Sequence, residues 1–102
     1  MEKVIAGQAI QVNEEGYLTD FKQWNKEVCA EMAKDANIQM EAKHWEVIDY
    51  LQNEFKNESP LSIRKIGKSN VVDIKEFYAL FPQGPLKTAS KIAGIPKPSS
   101  CL

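Results

Sequence analysis

Apolar and polar residues alternate from Val4 to Val12 on either side of Gly7, the pattern of a short two-stranded hairpin folded at the glycine. Such a ribbon is marginal alone in water, so it must lie on a larger body. The period then changes. Beyond a turn at Glu15-Gly16, Asp20 offers an N-cap, and Phe21, Trp24, Val28, Met32 and Ala36 recur every three or four residues. This spacing predicts one helix with that stripe facing the core. His44, Val47, Ile48, Leu51 and Phe55 repeat the pattern and predict a second helix over residues 41–56, with Trp45 flanking its apolar face. Ser59 and Pro60 read as the N-cap and first residue of a short helix through residue 66 that ends near Gly67. Another is expected from residue 72 or 73 to 81, broken by Pro82, and a last one over residues 86–93, ended by Gly94. Pro96 and Pro98 forbid its continuation. The expected fold is thus mostly α: a small helical domain with an N-terminal β-hairpin, a helix-turn-helix-like portion and a flexible C-terminal arm.

At 102 residues and 43% hydrophobic composition the chain suits one core, which can form without disulfides or a structural metal. We expect a single domain over residues 1–94 and a mobile arm over 95–102. No apolar run is long enough to span a membrane, and Met1-Glu2-Lys3-Val4 lacks the apolar core of a secretory signal. A cytoplasmic location is expected, where Cys29 and Cys101 would be thiols. Charge is unevenly placed. Residues 1–59 carry six lysines and twelve acids, residues 60–102 seven basic residues and two acids. The basic half holds Cys101, an arrangement suited to charged partners. It lacks the arginine density of a dedicated nucleic-acid binder.

The tail Gly94-Ile95-Pro96-Lys97-Pro98-Ser99-Ser100-Cys101-Leu102 is stiffened by its prolines; seven residues from Pro96 at ~3.1 Å each would reach ~20 Å. A thiol on such a tether can enter another protein's pocket. Lys97 is the nearest cation in sequence and favours the thiolate, while the Leu102 carboxylate opposes it. Arg64 and Lys91 are candidates to complete the activation. Arg64, on a short helix, could equally hold a persulfide anion, the C-terminal carboxylate or an acidic partner, or be an ordinary surface residue. Lys91 and Lys97 also read as solvated side chains. Cys29, mid-helix beside an apolar stripe, reads as a small buried hydrophobe. His44, the one histidine, reads as a packed or capping residue, with contact to the arm as the other possibility. One histidine and two distant cysteines make no metal set, and no cofactor is implied. Taken alone, these residues also allow Cys101 to be an incidental residue of a frayed end.

Several stretches carry a resemblance. Leu80-Phe81-Pro82-Gln83-Gly84-Pro85, Lys91-Ile92-Ala93-Gly94-Ile95-Pro96-Lys97-Pro98 and Cys101-Leu102 resemble the C-terminal signature of the DsrC/TusE family. Gly16-Tyr17-Leu18 before Trp24, His44-Trp45-Glu46-Val47, and Ser59-Pro60 leading to Ile63-Arg64 resemble its earlier motifs in the same order. The resemblance implies cytoplasmic sulfur trafficking, with Cys101 holding persulfide sulfur. The implied partners are a TusBCD-like complex and a tRNA thiolase, or a sulfite-reductase-like complex. It implies a carrier with little catalysis of its own. DsrC proteins of sulfite reductase bear a second cysteine where this chain has Ser90. A hydroxyl forms no disulfide, so the resemblance favours a single-thiol relay like that of TusE over the gamma-subunit role. The stretch between Arg64 and Leu80 is also shorter than the family's. A helix-turn-helix nucleic-acid binder is the reading from another class. Asp73, Lys75 and Glu76 are a poor set for phosphate and base contacts, so direct nucleic-acid binding is not expected.

Overall fold

The computed structural model describes residues 1–82 and 84–97. Strands β1 (Glu2–Ile5) and β2 (Gln8–Gln11) pair antiparallel, with Ile5 opposite Gln8. The two-residue loop Ala6-Gly7 has φ of 52° and 75°, the left-handed pair that a tight hairpin turn demands. Ile5, Ile10 and Val12 are buried while Val4 faces out, so the ribbon lies with one face on the helical body. Five helices follow: α1 (Lys26–Asp35), α2 (Ala42–Lys56), α3 (Ile63–Gly67), α4 (Ile74–Leu80) and α5 (Pro85–Ile92). The molecule is a small, mostly helical fold with an N-terminal hairpin, as the periodicity predicts.

Helix α5 lies at the centre and packs on α1, α2 and α4. Its Leu86, Ala89, Ile92 and Ala93 are buried with Val28, Met32 and Ala33 of α1 and Val47, Ile48 and Leu51 of α2. Phe77 and Phe81 close the core at the α4 end, their rings edge-on at 5.6 Å. The helix-turn-helix-like portion is present as α3 packed on α4.

Two helix starts differ from expectation. The stripe from Phe21 to Ala36 is not one helix. Asp20 caps only a 3-10 turn (Phe21–Gln23), accepting the Lys22 N–H at 3.0 Å. Trp24 is then extended, and Asn25 starts α1 by accepting the Val28 N–H at 2.9 Å. The break frees the Trp24 indole for a contact at the far end of the chain. Likewise Ser59-Pro60 does not open α3. Ser62 does, its Oγ accepting the Lys65 N–H at 3.1 Å, because Ser59 is still engaged in closing α2.

That closure recurs. In α1, α2 and α5 the residue after the C-cap turns left-handed, and the next N–H reaches back five residues to the helix. The turning residues are Asn37 (φ 60°), Glu58 (φ 56°) and Gly94 (φ 75°). The back bonds are Ile38 to Ala33 at 2.8 Å, Ser59 to Glu54 at 2.9 Å and Ile95 to Ser90 at 3.2 Å. Glutamate is a poor residue for this conformation, which costs a non-glycine about 1 kcal/mol. Glu58→Gly should therefore raise the stability by about 0.5–1 kcal/mol in urea denaturation, and a loss would show that Glu58 contributes through its side chain.

Candidate functional site

The chain emerges from the body just beyond α5, and that helix end is held by several hydrogen bonds. Its orphan carbonyls each find a donor. The Trp24 indole Nε1–H donates to Ile92 O at 2.7 Å, and the buried Gln52 amide donates to Ala93 O at 2.9 Å. Gly94 N–H and Ile95 N–H return to Lys91 O and Ser90 O, both at 3.2 Å. The left-handed turn at Gly94 sends Ile95 back into the core, where it is 1% exposed. A Cβ on Gly94 would stand 2.6 Å from Trp24 Cδ1, so both the conformation and the contact require glycine.

Beyond Ile95 the chain emerges. Pro96 and Lys97 are exposed, and Lys97 Nζ donates to Glu15 Oε2 at 2.9 Å. Glu15 belongs to a loop shaped by Asn13, whose Oδ1 accepts the N–H groups of Glu15 and Tyr17 at 2.9 and 3.0 Å. Gly16, at φ 87°, lets the Lys91 stem lie against the backbone; a Cβ there would be 2.8 Å from Lys91 Cε. Lys91 Nζ sits 6.0 Å from the centre of the Tyr17 ring, a cation–π contact. The Tyr17 hydroxyl donates to Lys87 O at 3.3 Å, which ties the loop to α5. A hollow of about 240 Å³ opens beside Lys91, walled by Lys3, Gly16, Met32, Asp35 and Thr88.

The structure therefore brings two of the sequence-predicted residues together: Lys91 and Lys97 both meet the Glu15–Tyr17 loop at the base of the arm. Lys87, one turn before Lys91, adds a third cation. Arg64 is exposed on α3 and His44 is buried in α2; neither joins this cluster. His44 Nδ1 accepts the Glu41 N–H at 3.1 Å and its Nε2 lies 3.0 Å from Leu80 O. The backbone donor at Nδ1 places the proton on Nε2, so the ring caps α2 and donates to the end of α4. It also meets Phe81 edge-on at 5.2 Å. Cys101 lies outside the described residues, as does most of the expected arm. Ser90 is fully buried, and its Oγ has no hydrogen-bond partner among the described residues.

Sequence reasoning gave no role to Gln52 or Glu15, placed Trp24 only in the core-facing stripe and quoted Tyr17 only within a motif. Gln52 had a signal: a polar residue inside an otherwise apolar helix stripe. Among the described residues no cluster of His, Cys, Asp or Glu could hold a metal ion, and no helix is long and apolar enough to cross a membrane.

Comparison with known proteins agrees with this picture. The family described as "DsrC like protein" matches residues 4–102. The chain belongs to the DsrC-like family. Within it, the chain is 43% identical over 102 residues to a protein of Buchnera aphidicola (from Acyrthosiphon pisum) named Sulfurtransferase TusE, covering 91% of this chain and 89% of that one. The Sulfurtransferase TusE of Salmonella typhimurium is 37% identical over 109 residues, covering 97% and 98%. That alignment is longer than this chain, so several of its positions have no counterpart here. The solution structure of Allochromatium vinosum DsrC superposes with a TM-score of 0.81 at 34% identity, covering both chains fully.

The second cysteine contrasts with the first. Cys29 is 0% exposed on α1, and burial pushes its thiol up to about 12 from an ordinary value of 9.0. It is therefore a neutral, inert thiol at physiological pH. Iodoacetamide at pH 8 should leave Cys29 unlabelled in the folded protein and label it in denaturant; mass spectrometry of tryptic peptides reads this directly. Because the unfolded thiol ionises first, folded stability should fall as pH rises above 9.0 toward about 12, and Cys29→Ala should flatten that slope. Gly94→Ala should cost about 2–4 kcal/mol from left-handed strain and overlap with Trp24, measured as a lower thermal midpoint; an unchanged midpoint would remove the anchoring role of this turn.

Proposed function

We propose that this chain is a sulfur carrier that accepts and passes on persulfide sulfur at Cys101, in a relay serving 2-thiolation of the wobble uridine of tRNA. The observation that carries the reading is the burial of Cys29. The chain has two cysteines, and with Cys29 sealed in the core, sulfur chemistry falls to Cys101. Identity of 36–43% to proteins named Sulfurtransferase TusE supports the direction.

In this reading the Cys101 thiolate attacks the outer sulfur of a donor cysteine persulfide. A new S–S bond forms on Cys101, the donor's S–S bond breaks, and the donor leaves as a thiolate. One sulfur moves with no net oxidation, and the acceptor repeats the step on Cys101. Lys97, Lys91 and Lys87 lower the cost of the thiolate and of the persulfide anion at the start of the tether. A cytoplasmic setting suits a carrier that must stay reduced. Its partners are sulfur-donating and sulfur-accepting proteins, with a TusBCD-like complex and a tRNA thiolase as the specific candidates.

A gamma-subunit role like that of DsrC is the second reading, supported by the solved relatives of 32–36% identity described as dissimilatory sulfite reductase or its gamma subunit. Ser90, standing where that role wants a second thiol, weighs against it.

Incubation with a protein persulfide donor should add about 32 Da, one sulfur, to the native chain and to Cys29→Ser, and nothing to Cys101→Ser. An adduct that survives Cys101→Ser, or never forms on the native chain, would overturn the carrier reading.

A further inference from the structure

The α3–α4 unit bears a surface that neither the fold nor the sulfur chemistry uses. Among the described residues the exposed large apolar side chains are Met1 and Val4 at the hairpin, and Ile74 and Tyr78 on α4. The last two are one helical turn apart and 45% and 46% exposed, so they form a continuous ridge. Ile74 is seated on α3: a Cβ at Gly67 would lie 2.5 Å from its Cγ1. Arg64 and Lys68, three residues before Gly67 and one after, share the α3 face that Ile74 meets. Both are exposed, as is Lys75, which neighbours Tyr78 across one turn.

An apolar ridge is therefore framed by three cations. Lys65, the remaining cation of α3, points elsewhere, toward Glu54 Oε1 at 3.5 Å and Pro60 O at 3.2 Å. The three cations outnumber the two acids at the start of α4, Asp73 and Glu76. Asp73 Oδ1 is occupied in capping, accepting the Glu76 N–H at 2.7 Å. Glu76, two positions from both Ile74 and Tyr78, projects from the other side of the helix.

We propose that this face, Arg64, Lys68, Ile74, Lys75 and Tyr78, docks an acidic protein segment that inserts one or two large apolar side chains over the ridge. An apolar centre with a charged rim is the anatomy of a protein interface, and Tyr and Arg are the residue types that carry its energy. A negative partner matches the frame and is steered to it. Nucleic acid fits worse. The ridge would set the apolar side chains of Ile74 and Tyr78 against a phosphate backbone, which offers them no apolar contact. The proposal stands apart from the chemistry of Cys101.

The test is a titration of the full-length 15N-labelled protein with a synthetic glutamate-rich peptide carrying two leucines one helical turn apart, and separately with duplex DNA. Peptide-induced shifts should centre on Arg64, Gly67, Lys68, Ile74 and Tyr78, and binding should weaken as salt rises. The double variant Arg64→Glu/Lys68→Glu and the single variant Ile74→Ser should each bind roughly tenfold more weakly or worse, while Lys34→Glu on α1 stays within roughly twofold. Ile74 is partly exposed, and circular dichroism checks that its variant remains folded. Shifts centred elsewhere, no binding, affinity indifferent to replacing the peptide's leucines with serine, or DNA binding more tightly to the same face would each overturn the proposal.

Discussion

The last turn of α5 ends with carbonyls that helix geometry leaves without donors, and the rest of the molecule is arranged around supplying them. Trp24 comes from the segment before α1 and Gln52 from within α2, so one helix end draws two distant elements to itself. Each buried carbonyl left bare would cost about 1–3 kcal/mol. Satisfying them fixes where the 3-10 turn must stop, why Trp24 is extended, and why the residue at position 94 is glycine. The same cap folds Ile95 inward and turns the chain outward at Pro96, which fixes the base of the tail.

Much of this was legible from residue spacing, because hydrophobic period is a local property. The hairpin, α2, α4 and α5 lie within a residue or two of where alternation and the three-to-four repeat put them. What could not be read were breaks set by partners far along the chain. Trp24 fits the apolar stripe of a single helix, and only its bond to Ile92, 68 residues away, shows why the helix cannot run through it. Glu58 carries no sequence mark of a left-handed residue, so Ser59 passed as an opening cap when it is part of a closing one. At the arm base, Lys91 and Lys97 were visible as cations. Their meeting with Gly16, Glu15 and Tyr17 is a tertiary fact with no local signature. His44 was legible as a packed or capping residue from its place on the apolar face, though its partner Glu41 was not.

The charge asymmetry of the sequence resolves into two separate basic regions in space. One is at the arm base, where Lys87, Lys91 and Lys97 surround the emergence of the tail. The other is on α3–α4, where Arg64, Lys68 and Lys75 frame exposed apolar side chains. Both belong to the second half of the chain, one carried by α5 and the residues after it and the other by α3 and α4, so they can address different surfaces of a partner or different partners. Cys29 sits away from both, in the apolar seam of α1. Among the described residues it is the one cysteine, and its thiol is sealed from solvent.

The capped end of α5 also has a mechanical consequence. If another protein grips the tail and pulls, the load passes at Ile95 into a side chain wedged in the interior and into hydrogen bonds from the indole and the glutamine, loaded together rather than one after another. The helix need not unwind turn by turn under tension. Tension applied beyond Ile95 is therefore met by several contacts at once at this one point of the body.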